Sequence, residues 1–591
     1  MPRLWLLIIA VLACYPARAI AQSGALDLCP RPAVGSAVPE PADLRSENGV
    51  LEVELAYRNF TGADGETRYC YVSQDGSQAP TLRMKPGDVL ILHLTNELTA
   101  TSQPKATETQ IPIVATGPSA GPMNMGARGG SMSMAAADPC ASAKMTADST
   151  NLHFHGLTVP AVCHQDDVLK TAIQPGDPPF EYRFQIPAEE PPGLYWYHPH
   201  IHGFTKAQVL GGASGAMIVE GIERTNRELA GLPERVMIVR DQDLVTPNAA
   251  PTQTGSLPLP PNSLDAEGDA LNTGTGTGKP AKDLSLNFVP VPYPDYPPAV
   301  IAMRPSERQL WRVLNASAIT YLNLQVLFED AAQALGVVAL DGVPINENGT
   351  SGNRAIWVSH VGIPPGGRIE FIVKGPPDGG KGSLVTRRVQ TGIGGENDPA
   401  RPLATIVASA DAPEPRSRLA SSPEPLPAPT STWIGNVKPV RIRKLYFSEM
   451  LQNPNDPNSP TTFMLTVEGQ TPKPYDMNAT MPNITVQQGD VEDWIIENRT
   501  RELHDFHIHQ IHFMLLDWFG LPVDEPFLRD TVNVPFWDGK SAVYPMVKLR
   551  MDFRDPNAVG TFIYHCHLLE HEDGGMMGTI RVEPRAQDAR K

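Results

Sequence analysis

One segment of this chain recurs three times, and the recurrence restricts the fold to a small set. In Pro86–Asn96 and Gln488–Asn498, a Gly-Asp turn leads into a run with partial alternation of apolar residues. Pro305–Asn315 is a more degraded copy, and in all three an Asn closes the run nine residues after the Gly or Ser of the turn. A turn that leads into such a run predicts a β-strand. Its repetition predicts three similar β-domains.

Length and composition agree with an all-β protein of several domains. The chain has 591 residues, which is too long for one hydrophobic core. It contains 60 Pro and 49 Gly but only 19% charged residues, which suits a turn-rich β protein better than a helical one. The formal net charge of -17 predicts an acidic surface and argues against nucleic acid or an anionic membrane as a partner.

The repeat divides the chain into three predicted domains. Domain 1 is placed at residues 22–224, domain 2 at residues 225–415 and domain 3 at residues 432–591. Stretches rich in Pro, Gly, Ser or Ala are predicted loops or linkers, namely residues 101–150, 247–298 and 411–431.

The N-terminus has the pattern of a secretory signal peptide. Arg3 precedes an apolar run from Leu4 to Ala13, and small residues follow around Ala19. Residues 1–21 are predicted to be removed, and the lack of a twin-Arg pair favours the general secretion route. The apolar run is too short to anchor the chain, and no later segment of the sequence is apolar for long enough to span a bilayer.

The cysteines fit an oxidising compartment. Of the six Cys, Cys14 leaves with the signal peptide and Cys566 lies among histidines. The remaining four are Cys29, Cys70, Cys140 and Cys163. This even number predicts one or two disulfides, and the sequence does not choose among the three pairings.

Histidines at alternate positions are the strongest chemical signal in the chain. Five His-x-His pairs occur, at 153/155, 198/200, 200/202, 507/509 and 565/567. Alternate residues of a strand share a face, so each pair can present two imidazoles to one site. The pairs fall in domains 1 and 3, where Gly193 precedes His198 and Gly560 precedes His565 by the same five residues. Domain 2 has only His360 and is predicted to be a spacer or scaffold without metal ligands.

The run from His565 to Met576 predicts two metal sites that share one strand. A Cys, two His and a distant thioether form the ligand set of a blue-copper electron-transfer site. Neighbouring side chains of a strand point to opposite faces. Cys566 should therefore face one site, while His565 and His567 face another.

These motifs resemble those of three-domain multicopper oxidases of the laccase and periplasmic cuprous-oxidase type. The resemblance covers essentially the whole mature chain, and four segments carry it: His153-Phe154-His155-Gly156, Tyr197-His198-Pro199-His200, His504 through His509, and His565-Cys566-His567 through Met576. It implies three cupredoxin-like Greek-key β-sandwich or barrel domains. It also implies four copper ions, one of type 1, one of type 2 and two of type 3.

The resemblance further implies a role for each ligand. It assigns the type 1 copper to His504, Cys566 and His571, with Met576 as axial ligand and Met577 as the less favoured alternative. The other assignments are His153 and His507 for type 2, His155, His198 and His567 for one type 3 copper, and His200, His509 and His565 for the other. His202, His512, His164, His93 and His360 receive no role.

The ligand set implies an oxidase that takes single electrons at the type 1 copper and reduces O2 to two waters. Because this reduction consumes protons inside a buried site, carboxylates should stand close to the cluster. The resemblance points to Glu572 near the type 3 coppers and to Asp166 near the type 2 copper. Asp167 competes with Asp166, because the chain departs here from the usual Asp-Gly.

A methionine-rich loop raises the question of the electron donor. Met123, Met125, Met132 and Met134 lie within a Gly/Ser/Ala-rich loop at residues 117–145. Exposed thioethers are good transient ligands for Cu(I), and the family's cuprous oxidases carry Met-rich inserts, although in their third domain. The loop is therefore predicted either to capture Cu(I) or to be a low-complexity segment with incidental Met.

Two classes of function follow. The first is an oxidase of phenols, aromatic amines or Cu(I), with O2 as acceptor. The alternative is a non-catalytic periplasmic protein that binds or sequesters copper, for which a trinuclear cluster would be superfluous. A copper nitrite reductase would have no use for six type 3 His. The signal peptide and the copper chemistry predict a secreted protein of a bacterial periplasm, associated with copper resistance, and we expect a monomer.

Overall fold

The computed structural model describes most of the chain, and β-strands dominate it. The described residues are 27–62, 65–99, 138–141, 144–246, 278–294, 296–345, 355–424, 431–453, 455, 459–525 and 527–585. The predicted signal peptide, Cys14 and the methionines at 123, 125, 132 and 134 lie outside these ranges. Within them the prediction of an all-β chain is confirmed.

The first pair of sheets is built from residues of predicted domain 1. Its strands are β1 (Asp43–Arg45), β2 (Val50–Thr61), β3 (Thr67–Ser73), β4 (Thr81–Met84), β5 (Val89–Asn96), β6 (His153–His155), β7 (Phe180–Gln185), β8 (Gly193–His198) and β9 (Gly215–Val219). One sheet has the order β1-β4-β9-β8-β6 and the other β3-β2-β5-β7. Three short helices follow β8, namely α1 (Thr205–Leu210) and the 3-10 turns Ile222–Arg224 and Arg227–Leu229.

The second pair of sheets is built from residues of predicted domain 2. Its strands are β10 (Pro233–Gln242), β11 (Asp283–Leu286), β12 (Val289–Val291), β13 (Ala299–Met303), β14 (Arg308–Asn315), β15 (Leu322–Phe328), β16 (Ala331–Ala332), β17 (Leu335–Leu340), β18 (Val343–Pro344), β19 (Ile356–Val358), β20 (Val361–Ile363), β21 (Arg368–Lys374), β22 (Lys381–Thr386), β23 (Arg401–Ala408) and β24 (Ser417–Arg418). The sheet orders are β12-β11-β10-β14-β21-β17-β18 and β13-β23-β22-β15-β16. The strands β19, β20 and β24 pair with β17, β15 and β10 at their sides.

The third pair of sheets is built from residues of predicted domain 3. Its strands are β25 (Arg441–Leu451), β26 (Thr461–Val467), β27 (Ile484–Gln487), β28 (Val491–Asn498), β29 (His504–Ile508), β30 (Phe513–Trp518), β31 (Leu521–Pro522), β32 (Thr531–Val534), β33 (Met546–Asp552), β34 (Gly560–Cys566) and β35 (Met577–Glu583). The sheet orders are β26-β25-β28-β33-β30-β31 and β27-β35-β34-β29-β32. The helices are α2 (Leu569–Asp573) and the 3-10 turns Ile434–Asn436 and Pro556–Ala558.

The three predicted repeats occupy equivalent positions in the three sheet pairs. The repeat strands β5, β14 and β28 end at Asn96, Asn315 and Asn498. Each lies parallel to the first long strand of its own sheet pair and antiparallel to a later one. The predicted boundaries at residues 224 and 415 agree with this grouping of strands and stay predictions.

Each sheet pair encloses its own apolar core. Alternation places every second side chain of β2 and β5 inside the first pair, where Leu51, Leu92 and Tyr57 are buried. Trp311 lies in the second core and Trp494 in the third. Separate cores explain how 591 residues fold without one oversized interior.

Two disulfides settle the pairing that the sequence left open. Cys29 bonds to Cys70 of β3, and Cys140 bonds to Cys163, each with its two Cα atoms 5.7 Å apart. Among the described residues, Cys566 is a free and buried cysteine. None of the helices in the described parts of the chain has the length and apolar character needed to cross a bilayer.

Candidate metal centres

Eight histidines of domains 1 and 3 converge in one buried cluster. In domain 1, β6 and β8 place His153 opposite His198, and in domain 3, β29 and β34 place His507 opposite His565. The other members follow from these strands and are His155, His200, His509 and His567. All eight side chains are at most 2% exposed. Because the same strand pair occurs in both domains, the spacing of the histidines in the sequence was sufficient to predict equivalent positions in both.

The cluster is shared across the contact between the two domains. The ring of His153 stacks on that of His509, with centroids 3.7 Å apart, and the ring of His155 stacks on that of His507 at 3.9 Å. The rings of His200 and His565 lie 5.3 Å apart. Neither domain alone brings the full set of imidazoles together.

The chemistry of the cluster fits bound metal. Seven of the eight imidazoles have a ring nitrogen without a hydrogen-bond partner among the described residues, namely those of His153, His155, His198, His200, His507, His509 and His567. Buried polar atoms are normally paired, so these nitrogens are available for another partner. Burial lowers the pKa of His198 to about 3 and that of His565 to about 4, which keeps both rings neutral at pH 7. Neutral imidazole is the form that binds copper.

The ligand atoms of the cluster fall into overlapping triads. The ligand atoms of His200, His509 and His565 all lie within 4.8 Å of one another, and this is one of the predicted type 3 sets. His153 belongs to two further triads, one with His155 and His198 and one with His507 and His509. The division of these residues between a type 2 and a type 3 copper stays a prediction.

A second site forms around Cys566, on the opposite face of β34. The Sγ atom of Cys566 lies 3.5 Å from Nδ1 of His504 and 3.7 Å from Nδ1 of His571. The two Nδ1 atoms are 3.1 Å apart, so one sulfur and two nitrogens surround one point. Burial raises the pKa of the Cys566 thiol well above its usual value, so metal binding there has to displace a proton. The donor set fits a mononuclear copper.

The environment of the two neighbouring methionines distinguishes them. Met576 packs in the same apolar core as Cys566, and its backbone oxygen accepts a hydrogen bond of 3.0 Å from the Cys566 nitrogen. Met577 belongs to a different apolar cluster, with Val168 and Ile563, and lines a cavity beside His200. This placement favours Met576 as the axial ligand.

Asp166 and Glu572 contact the histidine cluster at different imidazoles. Both carboxylate oxygens of Asp166 lie 3.0 Å from Nδ1 of His153, whereas Asp167 is half-exposed. The Glu572 carboxyl lies 3.5 Å from Nε2 of His200 and 3.3 Å from Nδ1 of His565. Burial raises the pKa of Asp166 and of Glu572 well above the usual range. The geometry therefore favours Asp166 over Asp167.

Two residues that the sequence did not indicate, Asp530 and Arg368, support the cluster from outside. The Asp530 carboxylate lies 3.2 Å from Nε2 of His155, and its backbone oxygen lies 2.8 Å from Nδ1 of His507. The Arg368 guanidinium of domain 2 donates to both Asp530 carboxylate oxygens, at 2.7 and 2.6 Å. Domain 2 thus supports the cluster through Arg368, although it carries no ligand in the described residues. His512 lies 3.6 Å from Asp530, so it packs at the margin of the cluster.

Two further acids lie beside the Cys566 site. An oxygen of Glu449 is 3.1 Å from Nε2 of His504, and an oxygen of Glu502 is 3.3 Å from Nε2 of His571. Phe463 stacks on the His571 ring, with centroids 4.3 Å apart. Burial, and then the neighbouring Glu449, raises the pKa of Glu502 well above its usual value. The side chain of Glu449 is 24% exposed and gives the site a carboxylate at the surface. No motif signalled these acids, because Glu449 comes from β25 in the other sheet of the pair, and Glu502 comes from the segment between β28 and β29.

Two segments of the chain match family models described as multicopper oxidase. The matches cover residues 143–224 and residues 452–586, which include every predicted copper ligand. A curated relative, the multicopper oxidase mco of Staphylococcus haemolyticus, is 24% identical over 443 residues, which is 74% of this chain and 77% of the relative.

Solved structures show the same fold. The multicopper oxidase of Campylobacter jejuni, titled a metallo-oxidase, superimposes with a TM-score of 0.60 at 21% identity, covering 94% of this chain and 96% of that one. The multicopper oxidase McoA of Aquifex aeolicus gives a TM-score of 0.59 at 18% identity, covering 93% and 99%. These similarities establish the architecture of the chain, but they do not identify its substrate.

Proposed function

We propose that this chain, which carries multicopper oxidase domains and the multicopper oxidase fold, couples one-electron oxidation of a reducing substrate at the Cys566 site to four-electron reduction of O2 to two waters at the histidine cluster. One observation carries the proposal. Cys566 faces His504 and His571, while the two neighbours of Cys566 in the chain, His565 and His567, belong to the cluster. A few covalent bonds therefore connect the two sites.

The residues that would hold copper are those whose donor atoms converge. His504, Cys566, His571 and Met576 would hold the type 1 ion, His153 and His507 the type 2 ion, and the remaining six histidines of the cluster the type 3 pair. Bound copper would supply one-electron transfer at the first site and reduction of O2 at the second. Arg368 and Asp530 hold the imidazoles of His155 and His507 in place, as outer partners of metal ligands do.

We assign the delivery of protons for water formation to Glu572 and Asp166. Because burial raises the pKa of both carboxyls, each keeps its proton to a higher pH than a free carboxyl does and can donate that proton where it stands. Glu572 faces His200 and His565, and Asp166 faces His153. Both are therefore close enough to deliver protons to a molecule bound among these imidazoles.

The acids beside the Cys566 site favour a cationic reductant. Carboxylates attract cations and repel the anionic form of a phenol. Glu449 is partly exposed beside His504 and supplies this negative charge. Of the candidate donors, Cu(I) or another reducing metal cation fits this charge better than a phenol does. The Campylobacter jejuni protein with the same fold is titled a metallo-oxidase, which agrees with this choice.

A copper-sequestering protein is the weaker alternative. Storage requires metal ligands, but it does not require two sites connected through adjacent residues of one strand. Met123, Met125, Met132 and Met134 lie outside the described residues, so capture of Cu(I) by their loop stays a prediction. We also propose, from the sequence, export by a signal peptide at residues 1–21 to a periplasm, a role in copper resistance and a monomeric state.

Oxygen uptake and absorption spectra test the oxidase and its donor together. Copper-loaded protein should be blue and should consume O2 with Cu(I) and, more slowly, with a neutral phenol. Replacement of Glu449 by Gln should lower kcat/KM for Cu(I) about tenfold, because a screened charge at the surface is lost, and should leave the phenol rate unchanged. Glu468→Gln is the matched control, because Glu468 is exposed and pairs with Lys444.

Each negative result has a distinct meaning. A colourless, copper-loaded protein without O2 uptake would overturn the oxidase and leave sequestration. Equal losses for Cu(I) and for the phenol in Glu449→Gln would overturn the preference for a cation and leave the oxidase intact.

A further inference from the structure

A small cavity that has methionines and histidines among its lining residues lies where domains 1 and 3 meet, and Val168, Leu169 and Ile563 complete its lining. Domain 1 contributes Met145, His200 and His202, and domain 3 contributes Tyr475, Met477 and Met577. His200 is a member of the histidine cluster, whereas Met477 is 42% exposed. The cavity thus extends from the surface to a predicted copper ligand.

The lining of this cavity has the chemistry of a site for a soft cation. Thioethers and imidazoles select Cu(I) over hard cations such as Ca²⁺ and Mg²⁺, which require oxygen ligands. None of the described residues that line the cavity is a carboxylate. Tyr475 packs edge-on against the His202 ring, with centroids 5.2 Å apart, and limits the space around it.

His202 carries a nitrogen atom that is available as a metal ligand. Its Nδ1 atom is buried and has no hydrogen-bond partner among the described residues. Sequence analysis left His202 without a role, because it stands beyond the His198 and His200 pair. An unpaired buried nitrogen on a residue that lines the same cavity as three methionines points to an additional ligand.

Packing is the competing explanation for the methionines. Methionine often fills irregular gaps in a core, and Met577 is buried in an apolar cluster with Val168 and Ile563. Met477, however, is 42% exposed, and Met145 is half-buried on the other domain. Gap filling does not account for two accessible thioethers from different domains that face one cavity beside an unpaired imidazole.

We propose that Met145, Met477, Met577 and His202 form a docking site for Cu(I), from which the ion passes to His200 and loads the histidine cluster. Binding and transfer leave copper in its monovalent state, so no oxidant or reductant is required. The inference rests on the proposed copper content of the histidine cluster but does not require turnover. It is separate from the oxidation of Cu(I) as a substrate, which we place at the Cys566 site.

Silver(I) tests the binding site directly, because it is a soft monovalent cation that does not take part in redox chemistry. The copper-loaded full-length protein is titrated with Ag(I) by calorimetry, as wild type and as the double variant Met145→Leu/Met477→Leu. We expect the double variant to lose one Ag(I), or to bind it at least about tenfold more weakly. The control is Met450→Leu/Met481→Leu, because both residues are exposed, at 58% and 74%, and lie outside the cavity.

Copper loading tests the role of the site. Protein stripped of copper is reloaded with Cu(I) without oxygen, and copper content is followed with time. We expect the double variant to fill the histidine cluster at least about tenfold more slowly, while the Cys566 site fills at the wild-type rate. That site is an internal control, because the cavity does not border it.

The outcomes separate the two proposals. Equal Ag(I) stoichiometry and affinity in the wild type and the double variant would overturn the docking site. Lost Ag(I) binding with unchanged loading would overturn its role in loading. Loss of O2 uptake in a protein that still binds Ag(I) in this cavity would overturn the oxidase and leave the site standing. Met477→Leu alone, at an exposed position, serves if the double variant folds poorly.

Discussion

Glu572 follows His571 of the Cys566 site in the chain, but its side chain points to the histidine cluster. Its carboxyl contacts His200 and His565, and burial, followed by the neighbouring Asp573, raises its pKa well above the usual value. Because the pKa is raised, the carboxyl keeps its proton to a higher pH than a free glutamic acid does, and it loses the proton as the pH rises through the shifted value. A buried acid of this kind is suited to donate protons.

Replacement of Glu572 by Gln should slow O2 reduction by about a hundredfold, because the variant keeps the shape and loses the proton. Oxygen uptake under saturating reductant measures this effect. The blue absorption and the copper content should stay unchanged, and the fall of turnover at high pH should disappear. Glu570→Gln is the control, because Glu570 pairs with Lys206 at the edge of the same helix. Equal rates in the two variants would remove Glu572 from proton delivery.

For single residues, the sequence predicts those site positions that follow from short spacings along one strand. His-x-His and His-Cys-His patterns indicated the clustered imidazoles, because strand geometry relates neighbours in the chain to opposite faces. Choices between neighbours, such as Asp166 against Asp167, depended on the local backbone. Glu449 and Asp530 escaped prediction altogether, because each meets its histidine through contacts between distant strands.

At the scale of elements, the asparagine at the end of each repeated strand makes the same set of hydrogen bonds in all three copies. The amides of Asn96, Asn315 and Asn498 each donate to two backbone oxygens, and their side-chain oxygens each accept from the nitrogen two residues later. All three are at most 2% exposed, so each amide satisfies buried backbone groups where a strand ends. The sequence predicted the strand and its end, but it could not predict the carbonyls, four of which lie 36 to 77 residues from their asparagine.

The loop before β21 brings domain 2 against the cluster at a glycine. Gly366 has φ +77°, and a Cβ there would lie 2.7 Å from Nε2 of His567. Gly366→Ala should therefore displace His567, lower the copper content of the cluster and leave the blue absorption of the Cys566 site. Copper analysis and the visible spectrum measure the two effects.

A second glycine isolates the backbone effect in this experiment. Gly379 has φ +68° and nothing within 4 Å of an added Cβ. Gly379→Ala should cost about 1–3 kcal/mol of unfolding free energy through backbone strain, as Gly366→Ala does, but should leave the copper content unchanged. Equal copper loss in both variants would show that strain alone, and not contact with His567, is responsible.

At the scale of the whole molecule, buried charges join domains 1 and 2. Glu234 accepts from Arg83 of domain 1 at 2.6 Å and from Arg312 of domain 2 at 2.7 Å, and Arg312 also pairs with Glu370. Glu370 accepts a hydrogen bond from the backbone nitrogen of Leu194 in β8. Although burial would raise it, Arg312 and Arg83 hold the pKa of Glu234 at about 2. Its contribution to stability is present above pH 4.5 and is lost as the pH falls toward 2.

Glu234→Gln should lower the free energy of unfolding by about 3–5 kcal/mol, because it removes the carboxylate that two buried guanidinium groups share and leaves them only Asp43 and Glu370 as charged partners. Urea denaturation measures the change. Glu228→Gln is the control, because Glu228 and Arg308 are both about half exposed, and such a pair contributes at most about 1 kcal/mol. A loss as small as that of the control would mean that water or other groups compensate the two arginines.

The division of the cluster between domains 1 and 3 has a consequence for biosynthesis. The half that contains His153 and His200 leaves the ribosome more than 300 residues before the half that contains His507 and His567. Until the second half docks, the stacked ring pairs His153–His509 and His155–His507 do not exist, and the imidazoles of the first half are not enclosed. A nascent or truncated copy that lacks domain 3 therefore cannot assemble the full set of imidazoles. The arrangement of the fold itself keeps an incomplete chain from forming the cluster.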